Sequence, residues 1–126
     1  MTKKAHSTEI SVMHPVCCGM DIHKSVITAC LITVNDLGQP EYEIREFSTF
    51  TGALFLLKDW LIENQCPIVA MESTSVYWRP VHNILEGHFD VVLVNARHMK
   101  NVPGRKTDTE DSKWLADLLR HGLVKR

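Results

Sequence analysis

The sequence predicts an α/β domain built on a mixed sheet, and three observations predict it. Two runs rich in β-branched and alternating residues flank the turn residues Asn35-Asp36-Leu37-Gly38, the pattern of an antiparallel hairpin. After residue 48, helical and strand patterns alternate, which implies parallel strands covered by crossover helices. At 126 residues, with 44% hydrophobic and 23% charged side chains, the chain can bury a core without disulfide or metal staples.

The elements follow in order. Val16 to Met20 is a short apolar run closed by Asp21, the pattern of a buried central strand. Ser25 to Val34 (S-V-I-T-A-C-L-I-T-V) is a second strand, and Tyr42 to Phe47 alternates as a third. Thr51 to Asn64 is the first helix, because Leu54, Leu57 and Leu61 form a stripe that Phe50 and Trp60 flank, and Ser48 or Thr51 is placed to cap it. Ile68 to Met71 is a fourth strand running into Glu72. Ser73, Thr74 and Ser75 offer caps for a helix through Leu85, whose regular part starts near Pro80 because proline lacks an amide proton, and Gly87 ends it. Val91 to Val94 is the fifth strand. A basic loop through Lys106 leads to a last helix, Thr109 to His121, closed by Gly122. The order β-β-β-α-β-α-β-α, an antiparallel three-strand unit followed by two crossover strands, is the ribonuclease H-like arrangement, a mixed five-stranded sheet flanked by helices.

Residues 1–14 read as a flexible polar tail and 15–126 as the folded domain. No apolar run approaches the roughly 20 residues of a membrane span, and no secretory signal follows Lys3 and Lys4, so a cytoplasmic protein without a membrane partner is expected. The four cysteines, Cys17, Cys18, Cys30 and Cys66, form no C-x-x-C and read as reduced, buried thiols. The seven histidines include no pair at i, i+4, which argues against a histidine-built metal site. A net charge of −1 is low for a domain that grips nucleic acid alone. Positive charge does gather locally, with Arg97, His98, Lys100, Arg105 and Lys106 uninterrupted by an acid.

The chemistry lies in the acids. Asp21 and Glu72 each end a strand, and ligands of such sheets gather at the carboxyl ends of parallel strands. If the first and fourth strands pair in parallel, the two carboxylates meet; taken singly, each is as well explained as a solvated loop acid. Asp108 and Asp111 open the last helix, where acids stabilise the helix dipole by about 0.3–1 kcal/mol each. They also lie at i and i+3 on the face that carries Leu115 and Leu118, which directs them toward the strand ends while Glu110 points away. Four carboxylates drawn together repel, and some protonate unless a cation intervenes. Oxygen ligands without histidine or thiolate suit Mg²⁺ or Mn²⁺, and two such ions about 3.5–4 Å apart serve phosphodiester transfer.

G-M-D-I-H-K at 19–24, M-E-S-T-S-V-Y-W-R-P at 71–80, V-N-A-R at 94–97 and K-T-D-T-E-D at 106–111 resemble the DEDD insertion-sequence transposases and Piv-type DNA invertases. The order and spacing match from about Cys17 to Leu123. The resemblance implies a RuvC-like amino-terminal catalytic domain, with Asp21, Glu72, Asp108 and Asp111 as the metal-binding acids of a DNA recombinase. It also implies a DNA substrate, an assembly of several copies and, in some members, a structured guide RNA encoded by the element. Ser112 stands where the family pattern has alanine. Family members carry a carboxy-terminal domain with a serine that attacks DNA; without it, the chain ending at Arg126 is expected to be incomplete for catalysis.

Other residues divide between structure and contact with nucleic acid. Tyr77 and Trp78 are placed either to stack on bases or to pack the start of a helix. Arg97, Arg105 and Lys106 either guide phosphates or form a solvated loop. Trp60 and Trp114 read as core, and His23 and Lys24, directly after Asp21, are placed either to approach substrate or to form a polar strand-to-strand turn. Three other functions compete: a Holliday-junction resolvase-like nuclease, an actin-like ATPase lobe, for which the glycine-rich phosphate loops are lacking, and a non-catalytic dimerisation or nucleic-acid-binding remnant.

Overall fold

A computed structural model describes residues 11–73, 75–94 and 108–125, with the side chains of 108–110 outside that description. The strands are β1 (Cys17–Ile22), β2 (Val26–Val34), β3 (Pro40–Ser48), β4 (Ile68–Ser73) and β5 (Asp90–Val94). The helices are α1 (Thr51–Glu63), α2 (Trp78–Leu85) and α3 (Asp108–Arg120). The five strands form one sheet in the order β3-β2-β1-β4-β5. β1 pairs antiparallel with β2, and β2 with β3; β1 and β4 pair in parallel, as do β4 and β5. The mixed sheet and the element order expected from the sequence are therefore present.

Because side chains alternate across a strand, the central strands contribute to two cores, whereas β3 at the sheet edge is mostly exposed. Cys18, Met20, Ile22, Val69 and Met71 face α1 and α2, where Leu54, Leu57, Trp60, Leu61, Val81 and Leu85 complete the larger cluster. The residues between them, Cys17 and Ala70 among others, face α3 and pack with Leu115, Ala116 and Leu119. All four cysteines are buried and unbridged, as the sequence suggested.

Several boundaries differ from expectation, each for a local reason. β1 and β4 run through Asp21 and Glu72 rather than stopping at them. The backbone ladder is indifferent to the side chain, so pairing continues where the apolar run ends. Phe50 is the N-cap of α1 and no side chain caps it; Ser48 Oγ instead accepts the Phe50 amide at 3.4 Å. Phe50 itself is largely exposed rather than flanking the buried stripe. Tyr77 precedes α2, again without a side-chain cap, while Ser75 takes a left-handed φ of 56° in the preceding turn; Thr74 lies outside the described residues.

At the other end, Gly122 (φ 73°) closes α3 as expected. The Leu123 amide donates to Leu118 O at 2.8 Å and the Gly122 amide to Leu119 O at 3.0 Å, the paired bonds of a Schellman cap. The Met13 and His14 amides donate to Arg120 O at 2.9 and 3.0 Å, so the end of the expected tail is tied to this helix terminus. Among the described residues, no helix is long and apolar enough to cross a membrane.

Candidate metal centre

Four buried polar or charged side chains stand out among the described residues: Asp21, Thr28, Glu72 and Ser112. Strand parity puts the first three on one face of the sheet. Asp21 follows Cys17 and Gly19 at two-residue steps, Glu72 follows Ala70, and Thr28 precedes Cys30, so all three share the face covered by α3. Asp21 is the register partner of Glu72 on β4 and of Thr28 on β2. The conditional pairing drawn from the sequence is thus realised: the parallel β1–β4 register sets the two acids side by side.

The third acid comes from α3. Asp21, Glu72 and Asp111 each offer a carboxylate oxygen, and these oxygens lie within 4.8 Å of one another. Asp21 and Glu72 are buried, Asp111 is half-buried, and Glu72 Oε2 and Asp111 Oδ1 have essentially no solvent contact. Like charges about 4 Å apart repel by roughly 4 kcal/mol at an effective dielectric near 20, so a cluster with these three ionised requires compensation. An all-oxygen donor set of this kind fits a hard divalent cation. Asp108 is the first residue of α3, but its side chain lies outside the described residues.

The approach of α3 depends on small residues. A Cβ built on Gly19 would lie 2.5 Å from the Ala116 amide nitrogen and 2.6 Å from Ser112 O, so the helix backbone rests directly on β1 at this glycine. The face of α3 that meets the sheet is consequently Ser112, Leu115, Ala116 and Leu119, with Leu118 only half-buried. This corrects the expected face of 108, 111, 115 and 118 by a partial roll. Close packing selects the small side chains, and Asp111 comes to the edge of the face beside the two strand acids. A Tyr42–Asp117 hydrogen bond of 2.6 Å, with Lys113 Nζ 4.9 Å from the Tyr42 ring centroid, ties the outer side of α3 to β3. Burial and the Asp117 bond push the Tyr42 hydroxyl up to about 12.

His23 reaches into the cluster: its Nε2 lies 3.1 Å from Asp21 Oδ2. The sequence places it either to approach substrate or to form a polar turn; the signal that points toward Asp21 is its i+2 spacing, which would put both on one face of an extended chain. Thr28 was missed because a threonine in a β-branched run reads as ordinary strand. Tyr77 and Trp78 are both half-buried against the larger core. Trp78 also lines a cleft of about 260 Å³ with Ser73, Ser75, Leu93 and Val94, and the Arg79 guanidinium sits 5.5 Å from its ring centroid. Trp60 is core, and Trp114 packs partly buried against the smaller cluster. Arg97, Arg105 and Lys106 lie outside the described residues.

Among solved structures, the chain is similar to Thermus thermophilus RuvC, with a TM-score of 0.59 and 13% identity over 87% of this chain and 98% of that one. A second structure, T. thermophilus RuvC in complex with Holliday junction substrate, gives 0.56 and 12% over 87% and 98%. The fowlpox virus Holliday junction resolvase gives 0.52 and 10% over 82% and 95%. At these identities the likeness is one of fold, and it makes the chain a RuvC-like, ribonuclease H-like domain with clustered acids on its central strands. No curated protein matches it by sequence. Residues 18–126 match the model of the IS110-type DEDD transposases, described as a transposase, and the chain belongs to that family. It is a transposase catalytic domain, as the sequence motifs implied.

Proposed function

We propose that Asp21, Glu72, Asp108 and Asp111 hold two Mg²⁺ or Mn²⁺ ions, and that the domain uses them to cut and transfer DNA strands for an insertion sequence. The observation that carries this reading is the convergence of carboxylates from β1, β4 and α3 within 4.8 Å, although the three residues are far apart in sequence. When bound, such ions supply Lewis acidity and a clamp on the attacking and leaving oxygens of a phosphodiester. The protein's part is to present the oxygens. Asp21 and Glu72 are held by paired strands, and Asp111 by a helix that cannot shift along β1 without losing its seat on Gly19. Burial of Asp21 and Glu72 keeps bulk water from their carboxylates and strengthens their pull on a cation.

DNA is the proposed partner, and the RuvC of the same fold, whose structure is a complex with a Holliday junction substrate, supports it. Trp78, beside its cleft at the ends of β4 and β5, together with Tyr77, Arg97, Arg105 and Lys106, is assigned to contact with nucleic acid on its position near the acids or in the basic run. By family, the domain works with a carboxy-terminal serine-bearing domain, in an assembly of several copies and, where the element encodes one, with a guide RNA.

The test is Mn²⁺ titration followed by calorimetry and thermal unfolding, on wild type, Asp21→Asn, Glu72→Gln and Asp108→Ala/Asp111→Ala. Saturable binding in wild type, lost in each variant, is the expected result. Equal affinity in wild type and all three variants would overturn the assignment. A Holliday-junction resolvase activity is the second reading, favoured by the fold shared with two junction resolvases; cleavage of a four-way junction, with linear duplex left intact, would select it.

A further inference from the structure

We propose that His23 is a positioning residue for the metal centre, holding the Asp21 carboxylate in the orientation in which it meets Glu72 and Asp111. The inference rests on the metal-binding reading above and adds a residue that the four-acid pattern does not contain.

β1 ends at Ile22 and β2 begins at Val26, and the two strands pair down to Ile22↔Ile27. The His23 amide donates to Val26 O at 2.9 Å and Thr49 Oγ1 donates to Lys24 O at 3.0 Å, and neither of these bonds across the reversal uses the imidazole. Any polar residue would satisfy the turn, so the turn does not account for an imidazole. The position does account for it. His23 follows the end of β1 two residues after Asp21, and its ring, one-third exposed, reaches back to the Asp21 carboxylate.

The contact differs from an ordinary surface pair. The Asp21 side chain is 6% exposed and the His23 side chain 33%, so the imidazole covers a buried carboxylate from the solvent side. A carboxylate only accepts hydrogen bonds, so the proton of this bond sits on His23 Nε2 and Asp21 Oδ2 receives it. That bond removes the rotational freedom about the Asp21 Cβ–Cγ bond that a ligating carboxylate must otherwise lose on binding an ion. It also saturates one lone pair, which biases the remaining ones toward the cluster. Groups that hydrogen-bond to ligating side chains commonly change metal affinity by about 10–100-fold when removed. Thr28, the register partner of Asp21 on β2, is a second buried polar residue on the same face of the sheet.

The experiment uses the 126-residue chain and Mn²⁺ alone as probe. Affinity is measured by electron paramagnetic resonance titration and metal-free stability by thermal unfolding, for wild type, His23→Ala, His23→Gln and Asp21→Asn. His23→Ala is expected to weaken Mn²⁺ by about tenfold or more with the metal-free melting temperature unchanged, and His23→Gln, which keeps an N–H donor, to recover most of the loss. Three results would overturn the proposal. If Asp21→Asn loses Mn²⁺ while His23→Ala binds like wild type, the metal centre stands and His23 has no part in it. If His23→Ala lowers affinity and metal-free stability together and His23→Gln restores neither, the residue is merely structural. Imidazole-nitrogen hyperfine coupling to bound Mn²⁺ would make His23 a ligand instead. Failure of wild type to bind Mn²⁺ at all would remove the metal-centre reading and this inference with it.

Discussion

Gly19 shows how much one missing side chain decides. Its Cβ would collide with backbone of α3 at Ala116 and Ser112, atoms that cannot rotate away. Gly19→Ala is therefore expected to cost about 3 kcal/mol or more in urea denaturation, the upper range for overpacking against a rigid neighbour. Because the same clash lifts α3, the variant should also lose Mn²⁺ affinity, although it changes no ligand. Ser112, in the place of the family's alanine, fits the same interface: it is fully buried, and its backbone oxygen rather than its hydroxyl is what abuts Gly19. The acids make the opposite trade. Asp21→Asn removes one charge from a mutually repelling cluster, so the metal-free variant should melt a few degrees above wild type. In saturating Mn²⁺ it should melt below wild type, since the linkage term from metal binding is gone. A differential scan with and without Mn²⁺ reads both signs, and a metal-free melting point below wild type would contradict the repulsion argument.

At the scale of elements, α1 offers an internal control. Leu56 and Leu57 are adjacent, yet Leu56 is 64% exposed and Leu57 fully buried in the core shared with β1 and β4. Leu57→Ala should destabilise the domain by about 2–5 kcal/mol, through lost burial and the cavity left behind. Leu56→Ala should stay within about 0.5 kcal/mol of wild type. Equilibrium urea unfolding checks both, and equal losses would mean that α1 is seated differently. α3 carries a more specific task, because its register on β1 sets Asp111. The Schellman cap around Gly122 fixes its carboxyl end, the Tyr42–Asp117 bond fixes its outer side, and the Gly19 contact fixes its height above the sheet. Three restraints on one 13-residue helix are consistent with its presenting a ligand rather than simply covering the sheet.

For the whole molecule, the buried thiols couple stability to alkaline pH. Burial pushes Cys17, Cys30 and Cys66 from 9.0 up to about 12, and Cys18 well above its ordinary value. These are raised pKa values of groups that are neutral when protonated. Below about pH 9 both folded and unfolded chains hold the protons and the stability is fully present; as pH climbs from about 9 to about 12 the unfolded chain ionises first, and stability falls. The urea midpoint should decline steadily across that window. At neutral pH, a disulfide reagent should modify none of the four cysteines until urea unfolds the chain.

The sequence by itself determined the element order, the sheet class and the chemical kind of the site, because those rest on local patterns. The Asn35–Gly38 turn between alternating runs makes a hairpin, apolar stripes such as Leu54-Leu57-Leu61 make helices, and acids closing apolar runs mark the edge where strands end. Tertiary structure decided the rest. An acid inside a strand looks like the end of that strand, since hydropathy registers the side chain and the ladder registers only the backbone; the meeting of Asp21 and Glu72 was legible only on the condition that β1 and β4 pair in parallel, and the sheet supplied that condition. The face of α3 turned on which side chains were small enough to approach Gly19, a property of two elements separated by most of the chain. Thr28 comes beside Asp21 only through the β1–β2 register, and the reach of the His23 ring to the Asp21 carboxylate is a tertiary contact of which the i+2 spacing gives no more than a hint.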